Sequence, residues 1–563
     1  MTTPPVNVAS HLVRLAAADP TRAAIHVPRG AVKYDGPSQY TTLTFAEINT
    51  DSDRIAHGLV KAGITRGTRA ALMVPPSIDF FSLTFALFKV GAIPVLIDPG
   101  MGIKNLGKCL ADAEPEAFIG IPKAHLARRI LGWAKQSVRT TVNVGAGRFF
   151  CQHSLRSIRD SGLSFGSFPI PDQSRDDTAA ILFTSGSTGV AKGVVYTHGI
   201  FAAQVELLKS TYGITPGEVD LCTFPLFALF GPALGMTCVI PDMDPSRPAR
   251  IDPRKVAAQV KQFGVTNLFG SPAVIRRLGE LASDNAPSLA TLLRVISAGA
   301  PATPTALDQL MKIIPRDVEI FTPYGATESL PVANIGSREI LSETQHLTMT
   351  GRGVCIGRPV EGMQVSVIPI SDEPIAEWDE SSCLPNFEIG EFVVRGPVVT
   401  REYFRRPDAT KLAKIRDAKT GEILHRMGDV GYRDDDGRLW FCGRKSHRVV
   451  TPWGTLYTDQ VEPVFNGHHG VIRTALVGVK RDGAVYPVLC FERNPLWSGP
   501  MCLLEFQAEE FDHTKSIVTF LWHPGFPMDV RHNSKIFREK LATWADRKLG
   551  KNWRPTNAVK GAP

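Results

Sequence analysis

Short apolar runs alternate with segments of helical periodicity along much of the chain, and this alternation constrains the fold more than any other feature. Arg69-Ala70-Ala71-Leu72-Met73-Val74-Pro75 reads as a short buried strand, and Leu43-Thr44-Phe45-Ala46-Glu47 opens an amphipathic segment. Residues 80–90 are followed by the run 92–97, and the pattern returns at 265–269, 273–281 and 293–297. Strands that alternate with helices imply parallel sheets covered on both faces. At 563 residues the chain exceeds what one core organises, so two or more folding units are expected. Its 43% hydrophobic and 21% charged content is that of an ordinary globular protein.

Directly after the apolar run Ala179-Ala180-Ile181-Leu182 comes Phe183-Thr184-Ser185-Gly186-Ser187-Thr188-Gly189-Val190-Ala191-Lys192-Gly193. Glycines at 186, 189 and 193 let backbone N–H groups approach an anion closely. The hydroxyls of Thr184, Ser185, Ser187 and Thr188 add donors, and Lys192 adds a fixed positive charge. These are the parts of a polyphosphate cradle. A Walker A loop needs glycine before its lysine, whereas Ala191 stands there, so a P-loop NTPase is disfavoured. Taken alone, the loop also reads as a polar connection.

Several classes are disfavoured by composition. The net charge of +8 suits anionic ligands, but no long run of Lys and Arg interleaved with aromatics points to nucleic acid. The nine cysteines form no Cys-x-x-Cys pair and no zinc-like spacing. The start Met-Thr-Thr-Pro-Pro-Val-Asn lacks the arrangement of a signal peptide, and a cytoplasmic protein is expected. Residues 221–240 carry no charge and are long enough to span a bilayer. Pro225, Gly231, Pro232 and Gly235 would interrupt such a helix, so a buried strand, a turn and a helix start are expected, with no transmembrane segment. Phe224, Phe227 and Phe230 recur there at three-residue spacing, as plain core or as the wall of an apolar substrate pocket.

Five further blocks follow. Ser297-Ala298-Gly299-Ala300-Pro301 is small enough for a flat ring to lie against the backbone. Phe321-Thr322-Pro323-Tyr324-Gly325-Ala326-Thr327-Glu328 gathers an aromatic, a glycine and an acid. Gly390-Glu391-Phe392-Val393-Val394-Arg395-Gly396-Pro397 alternates as a strand does, and Met427-Gly428-Asp429-Val430-Gly431-Tyr432 sets an acid between glycines. Near the end stands Arg531-His532-Asn533-Ser534-Lys535-Ile536-Phe537-Arg538. Taken singly, Tyr324 reads as core, Glu328 as a solvated turn acid and Lys535 as a surface lysine.

In their order these blocks resemble the adenylate-forming superfamily, which includes acyl-CoA synthetases, luciferases, peptide-synthetase adenylation domains and fatty-acyl-AMP ligases. The resemblance implies an α/β fold: a large N-terminal domain over 1–443 with stacked parallel sheets and a β-rich subdomain, a hinge at 444–447, and a small mobile α+β lid domain over 448–563. It implies ATP and Mg2+. The ATP site would comprise Thr184, Ser185, Gly186, Ser187, Thr188, Gly189, Lys192, Gly299, Ala300, Pro301, Tyr324, Gly325, Ala326, Thr327, Asp429 and Arg444. Tyr324 would stack on adenine, Thr327 would contact the phosphates, Glu328 would hold magnesium, and Asp429 would accept from the ribose hydroxyls. Lys535 would bridge the carboxylate and the α-phosphate. Phe224, Phe227 and Phe230 would border the acyl group.

The hinge block Phe441-Cys442-Gly443-Arg444-Lys445-Ser446-His447-Arg448-Val449 departs from the family pattern. Ser446 stands where an aspartate or lysine is usual, Val450 stands near the common lysine position, and Pro452-Trp453 is inserted, which puts a thiolation conformation in doubt. Over most of its length, and at 324–337 and 442–450 in particular, the chain resembles the β-lactone-forming branch active in bacterial long-chain olefin biosynthesis. That resemblance implies a long-chain β-hydroxy acid substrate, ring closure by its own hydroxyl, and a complex with other olefin-pathway enzymes. A long-chain acyl-CoA synthetase or a fatty-acyl-AMP ligase is the alternative, and a nucleotide-binding paralogue without turnover is disfavoured by the presence of Lys192, Glu328, Asp429 and Lys535. His198, just after the phosphate loop, is either the base for the hydroxyl or a structural histidine at a helix start.

Overall fold

The computed structural model describes residues 6–34, 36–184, 191–224, 229–282, 289–497, 499–500, 502–528 and 536–555. Ser185, Gly186, Ser187, Thr188, Gly189, Phe227 and Lys535 lie outside them, as does the side chain of Thr184.

The alternation of apolar runs and helices resolves into two sheets of seven strands. The first runs in the order His153–Ser154, Thr140–Asn143, Ala117–Gly120, Arg69–Met73, Ile93–Ile97, Thr178–Thr184 and Lys192–Thr197. Its neighbours are parallel except for the last pair, which is antiparallel. The second runs Glu319–Phe321, Arg294–Ser297, Asn267–Gly270, Val219–Cys222, Thr237–Val239, Ala23–Pro28 and Tyr40–Thr44, and again only the terminal pair is antiparallel. Helix Ile78–Val90 is buried at every position from 80 to 90, as a helix that is apolar all round must be. The one cation on that stretch, Lys89, is fully buried and sits 2.6 Å from Asp53 Oδ1, so its charge is paired.

Within 221–240 the described residues form the end of the strand Val219–Cys222, the short helix Phe230–Leu234 and the strand Thr237–Val239, so the expected strand and helix start are present, while 225–228 lie outside the described residues. Among the described residues no helix is long and apolar enough to cross a membrane. The nine cysteines are free thiols.

A third, antiparallel sheet begins where the second ends. Its order is Tyr324–Ala326, Ser329–Asn334, Val354–Pro359, Leu439–Arg444, Ile423–Arg433, Gly390–Arg395 and Gln364–Ile368, with Lys414–Arg416 paired to Ile423–Arg433. Gly390–Arg395 was expected to alternate, yet its first five residues are all buried. It lies between two other strands and is covered on both faces, so no solvent face imposes a period of two.

A separate, smaller C-terminal region follows the 3-10 turn Lys445–His447. Val471–Arg481 and Ala484–Arg493 pair antiparallel, Phe520–Trp522 adds in parallel, and the helices Thr458–Asn466, Cys502–Glu509 and Arg538–Leu549 accompany them. Two apolar clusters here, around Phe465 and around Leu541, draw only on residues from 449 onward. The inserted Pro452-Trp453 forms the two-residue turn of a hairpin between Val449–Thr451 and Gly454–Leu456.

Candidate active site

The phosphate loop is held at both ends by backbone pairing. Thr184 pairs with Lys192 and Phe183 with Gly193, so the intervening glycine- and hydroxyl-rich residues connect two adjacent strands. The segment just before helix Pro407–Ala413 then docks on the outgoing strand. Phe404 N donates to Gly193 O at 2.7 Å, and Val194 bridges Tyr403. Chain topology thereby delivers Tyr403 to the loop.

Thr327 and Glu328 form the two-residue turn between Tyr324–Ala326 and Ser329–Asn334, with Ala326 opposite Ser329. Gly325 is required by this hairpin, because a Cβ there would lie 2.7 Å from both Ser329 O and Leu330 Cδ1. The turn is clamped from three sides. Tyr196 Oη donates to Thr327 O at 2.5 Å, Thr400 N donates to Glu328 O at 2.9 Å, and Tyr403 Oη donates to Glu328 Oε1 at 2.6 Å.

Lys192 Nζ lies 4.8 Å from the centre of the Tyr403 ring, close enough for a cation–π contact. Burial pushes the Lys192 pKa below its usual range, while Glu328 opposes the shift. A second cation, Lys414, also reaches this cluster, with Nζ 6.0 Å from the same ring and 3.1 Å from Thr400 Oγ1. Burial pushes Lys414 down to about 7 against the pull of Glu328. One carboxylate, one phenol and two lysines thus meet beside the phosphate loop.

Asp429 and Arg444 are directly opposite each other in neighbouring strands. Tyr324 Oη donates to Asp429 Oδ2 at 2.5 Å, and Arg444 Nη1 lies 2.8 Å from Asp429 Oδ1. The Arg444 contact is an ion pair without hydrogen-bond alignment, so the buried Oδ1 still lacks an aligned donor. A buried carboxylate oxygen in that condition suits a hydroxyl ligand. Burial raises the Asp429 pKa, and Arg444 and the Tyr324 hydroxyl oppose the rise.

Phe224 and Phe230 border one apolar cluster that Ala298 and Phe321 also touch, so the pocket aromatics adjoin the segment 297–301. Gly299 there adopts φ +102°, a conformation that favours glycine. Among the described residues no group of three or more His, Cys, Asp or Glu could cage a metal. A single carboxylate at Glu328 fits Mg2+, which binds through one or two carboxylates, substrate phosphates and water.

His198 is 1% exposed, packs edge-on to Phe88, and accepts a hydrogen bond at Nδ1 from Val8 N at 3.2 Å. This is the environment of the structural alternative, since the helix start is roofed by the N-terminal segment. Burial lowers the His198 pKa to about 4. The folded state therefore binds fewer protons than the unfolded chain between about pH 4 and 6.5, and about 3 kcal/mol of stability is lost as pH falls across that window. His198→Gln is expected to show a correspondingly weaker acid destabilisation in denaturation midpoints taken near pH 7 and near pH 4. Parallel pH dependences for the two proteins would exclude this.

Tyr196, Tyr403 and Lys414 were not singled out from sequence as site residues. The segment around Tyr403 read as structural, and nothing local to Lys414 distinguishes it from a solvated lysine.

The family model of AMP-binding enzymes matches residues 15–404. An olefin beta-lactone synthetase of Xanthomonas campestris pv. campestris is 49% identical over 547 residues, covering 96% of this chain and 97% of the relative. An olefin beta-lactone synthetase of Stenotrophomonas maltophilia is 49% identical over 554 residues, covering 97% and 99%. The crystal structure of ATP-bound MatB from Rhodopseudomonas palustris superposes with a TM-score of 0.76 at 20% identity, covering 97% of this chain and all of that one, a likeness of fold. Matched by the family model over residues 15–404, and sharing half its residues with two relatives along nearly its whole length, the chain belongs to the AMP-binding enzyme family.

Proposed function

We propose that the protein converts a 2-alkyl-3-hydroxyalkanoic acid to a β-lactone through an acyl-adenylate, consuming ATP and releasing AMP and diphosphate. The observation that carries the reading is the near-full-length 49% identity to two olefin beta-lactone synthetases. The joining of Lys192, Tyr403 and Glu328, and of Tyr324, Asp429 and Arg444, supports the adenylation half.

In the first step an oxygen of the substrate carboxylate attacks the α-phosphorus of ATP, and the bond to the bridging oxygen of diphosphate breaks. Lys192 and the loop 184–189 hold the β- and γ-phosphates, with Thr327 at the hairpin tip beside them. Gly299, Ala300, Pro301, Tyr324, Gly325 and Ala326 form the adenine side, Asp429 accepts from the ribose, and Arg444 keeps that carboxylate charged. Glu328 would hold Mg2+, which when bound would supply positive charge against that developing on diphosphate. Lys535 stabilises charge that develops between carboxylate and phosphate, and Phe224, Phe227 and Phe230 wall the alkyl chains.

In the second step the oxygen of the substrate's 3-hydroxyl attacks the adenylated carbonyl carbon, gives up its proton, and expels AMP. Holding the two groups together contributes several kcal/mol, while ring strain opposes closure, which is why the carboxyl must be activated. The acceptor is internal, so no thiol site is needed. Lys445 Nζ donates to Ser371 O at 2.7 Å, and Arg448 Nη2 lies 2.5 Å from Asp372 Oδ2, contacts that strap the hinge to the segment after strand Gln364–Ile368 and favour one arrangement. We place the domain limits at 1–443, 444–447 and 448–563, the site of action in the cytoplasm, and the enzyme in a complex with other olefin-pathway enzymes.

The test is an incubation of ATP, Mg2+ and a 2-alkyl-3-hydroxy fatty acid with and without CoA, followed by product mass. A product lighter than the acid by one water, formed without CoA, is expected; a product that requires CoA would sink the reading. Lys535→Ala is expected to slow diphosphate release on the order of a hundredfold. A rate within a few-fold of the parent would remove Lys535 from the mechanism.

A further inference from the structure

Residues 117–159 contain eight Lys and Arg and not one Asp or Glu. Among the described residues only two of these cations, Arg156 and Arg159, have an acidic partner within 4.0 Å. Among the described residues the others, including Lys123, Arg128, Arg129 and Arg148, have no carboxylate within 4.0 Å.

The same stretch exposes its large apolar side chains. On helix Pro122–Leu131, Leu126 is 50% and Ile130 72% exposed, and with Lys123 and Arg129 they share one face at helical spacing. Beside the helix, Phe150 is 81% exposed. Phe149 and Phe150 both take left-handed backbone, at φ 44° and 59°, which aromatic residues rarely adopt, and which holds the Phe150 ring outward. The Arg129 guanidinium lies 5.3 Å from the centre of that ring, and a groove of about 230 Å³ joins Leu126, Arg128 and Phe150. Helix and loop form one surface.

Four exposed large apolar residues, counting Leu131 at 48%, are more than the scattered single ones a monomer carries, and unpaired cations surround them. Apolar side chains set among Lys and Arg are the pattern of a surface that lies in a lipid interface, where the apolar groups enter the acyl boundary and the cations meet anionic headgroups. We propose that helix Pro122–Leu131 and the loop carrying Phe150 dock the protein on an anionic lipid bilayer. The acid-free run of charge selects a negatively charged surface, and a deformable bilayer can both take up the exposed Phe150 ring and fill the groove beside it. The docking is independent of which acid is activated; given the proposed function, it would bring the enzyme to a water-insoluble substrate.

The test is co-sedimentation of the full chain with vesicles of phosphatidylcholine plus phosphatidylglycerol and with vesicles of phosphatidylcholine alone. Binding to the first, weak binding to the second and release by added salt are expected. Ile130→Ser with Phe150→Ser, and Arg128→Gln with Arg129→Gln, should each lower partitioning roughly tenfold or more. Both variants should keep the parent rate of diphosphate release with a short, water-soluble acid, because the patch is outside the site. Failure of the parent to bind phosphatidylglycerol vesicles would overturn the proposal and would leave a protein partner as the occupant. So would variants that bind as the parent does, or binding indifferent to salt.

Discussion

Glu328→Gln is expected to slow acyl-adenylate formation about 10²–10³-fold at saturating ATP, with a higher Mg2+ requirement. The substitution keeps the shape of the side chain and an oxygen that can accept from Tyr403, now 2.6 Å away, so the hairpin tip at Thr327 and Glu328 should survive. What disappears is the negative charge beside the phosphate loop. Titrating Mg2+ in a diphosphate-release assay separates the two consequences, because a lost metal ligand moves the midpoint whereas a distorted turn lowers the plateau alone. An unchanged rate and midpoint would remove Glu328 from the site. Tyr403→Phe should cost far less, about tenfold, because it deletes one hydrogen bond to a carboxylate whose charge remains.

Arg426→Met is expected to lower stability by about 3–5 kcal/mol without touching the nucleotide site. Arg426 and Glu391 are each 1% exposed on the side chain, with Nη2 and Oε2 2.6 Å apart. Removing the guanidinium leaves a buried carboxylate whose remaining cation is Lys445, 3.2 Å away, and that contact holds the loss toward the lower end of the range. The cost arises from the stranded charge, so Arg426→Met combined with Glu391→Met should recover much of it. Chemical denaturation midpoints of the single and double variants decide the matter. A single variant that shifts by less than about 1 kcal/mol would show that Lys445 alone satisfies Glu391.

Much of the fold was legible because its cause is local. Arg69–Met73 is a buried strand for the reason its apolar run suggested, and the short helix Phe230–Leu234 stops at Gly235, which caps it in left-handed backbone. Asp429 stood out by its Gly-Asp-x-Gly setting and its place among the other blocks, and it is a buried carboxylate bonded by Tyr324 and paired with Arg444. Local patterning failed where burial is two-sided, as at Gly390–Arg395, and where an insertion has a turn to occupy, as Pro452-Trp453 does. It also left His198 open between two roles, since a histidine after a phosphate loop looks the same whether solvated or roofed by Val8.

By itself the sequence determined the parallel α/β class and the set of blocks that place the chain among AMP-binding enzymes. Each depends on side-chain type, short-range spacing or order along the chain. Only the tertiary structure decided that Tyr403 joins Lys192 to Glu328, that Lys414 approaches the same ring, and that Glu391 is shared by Arg426 and Lys445. Those contacts join residues remote in the chain. They exist because strand register and sheet order bring the segments together, and the low-dielectric setting that makes them strong is a property of the assembled core.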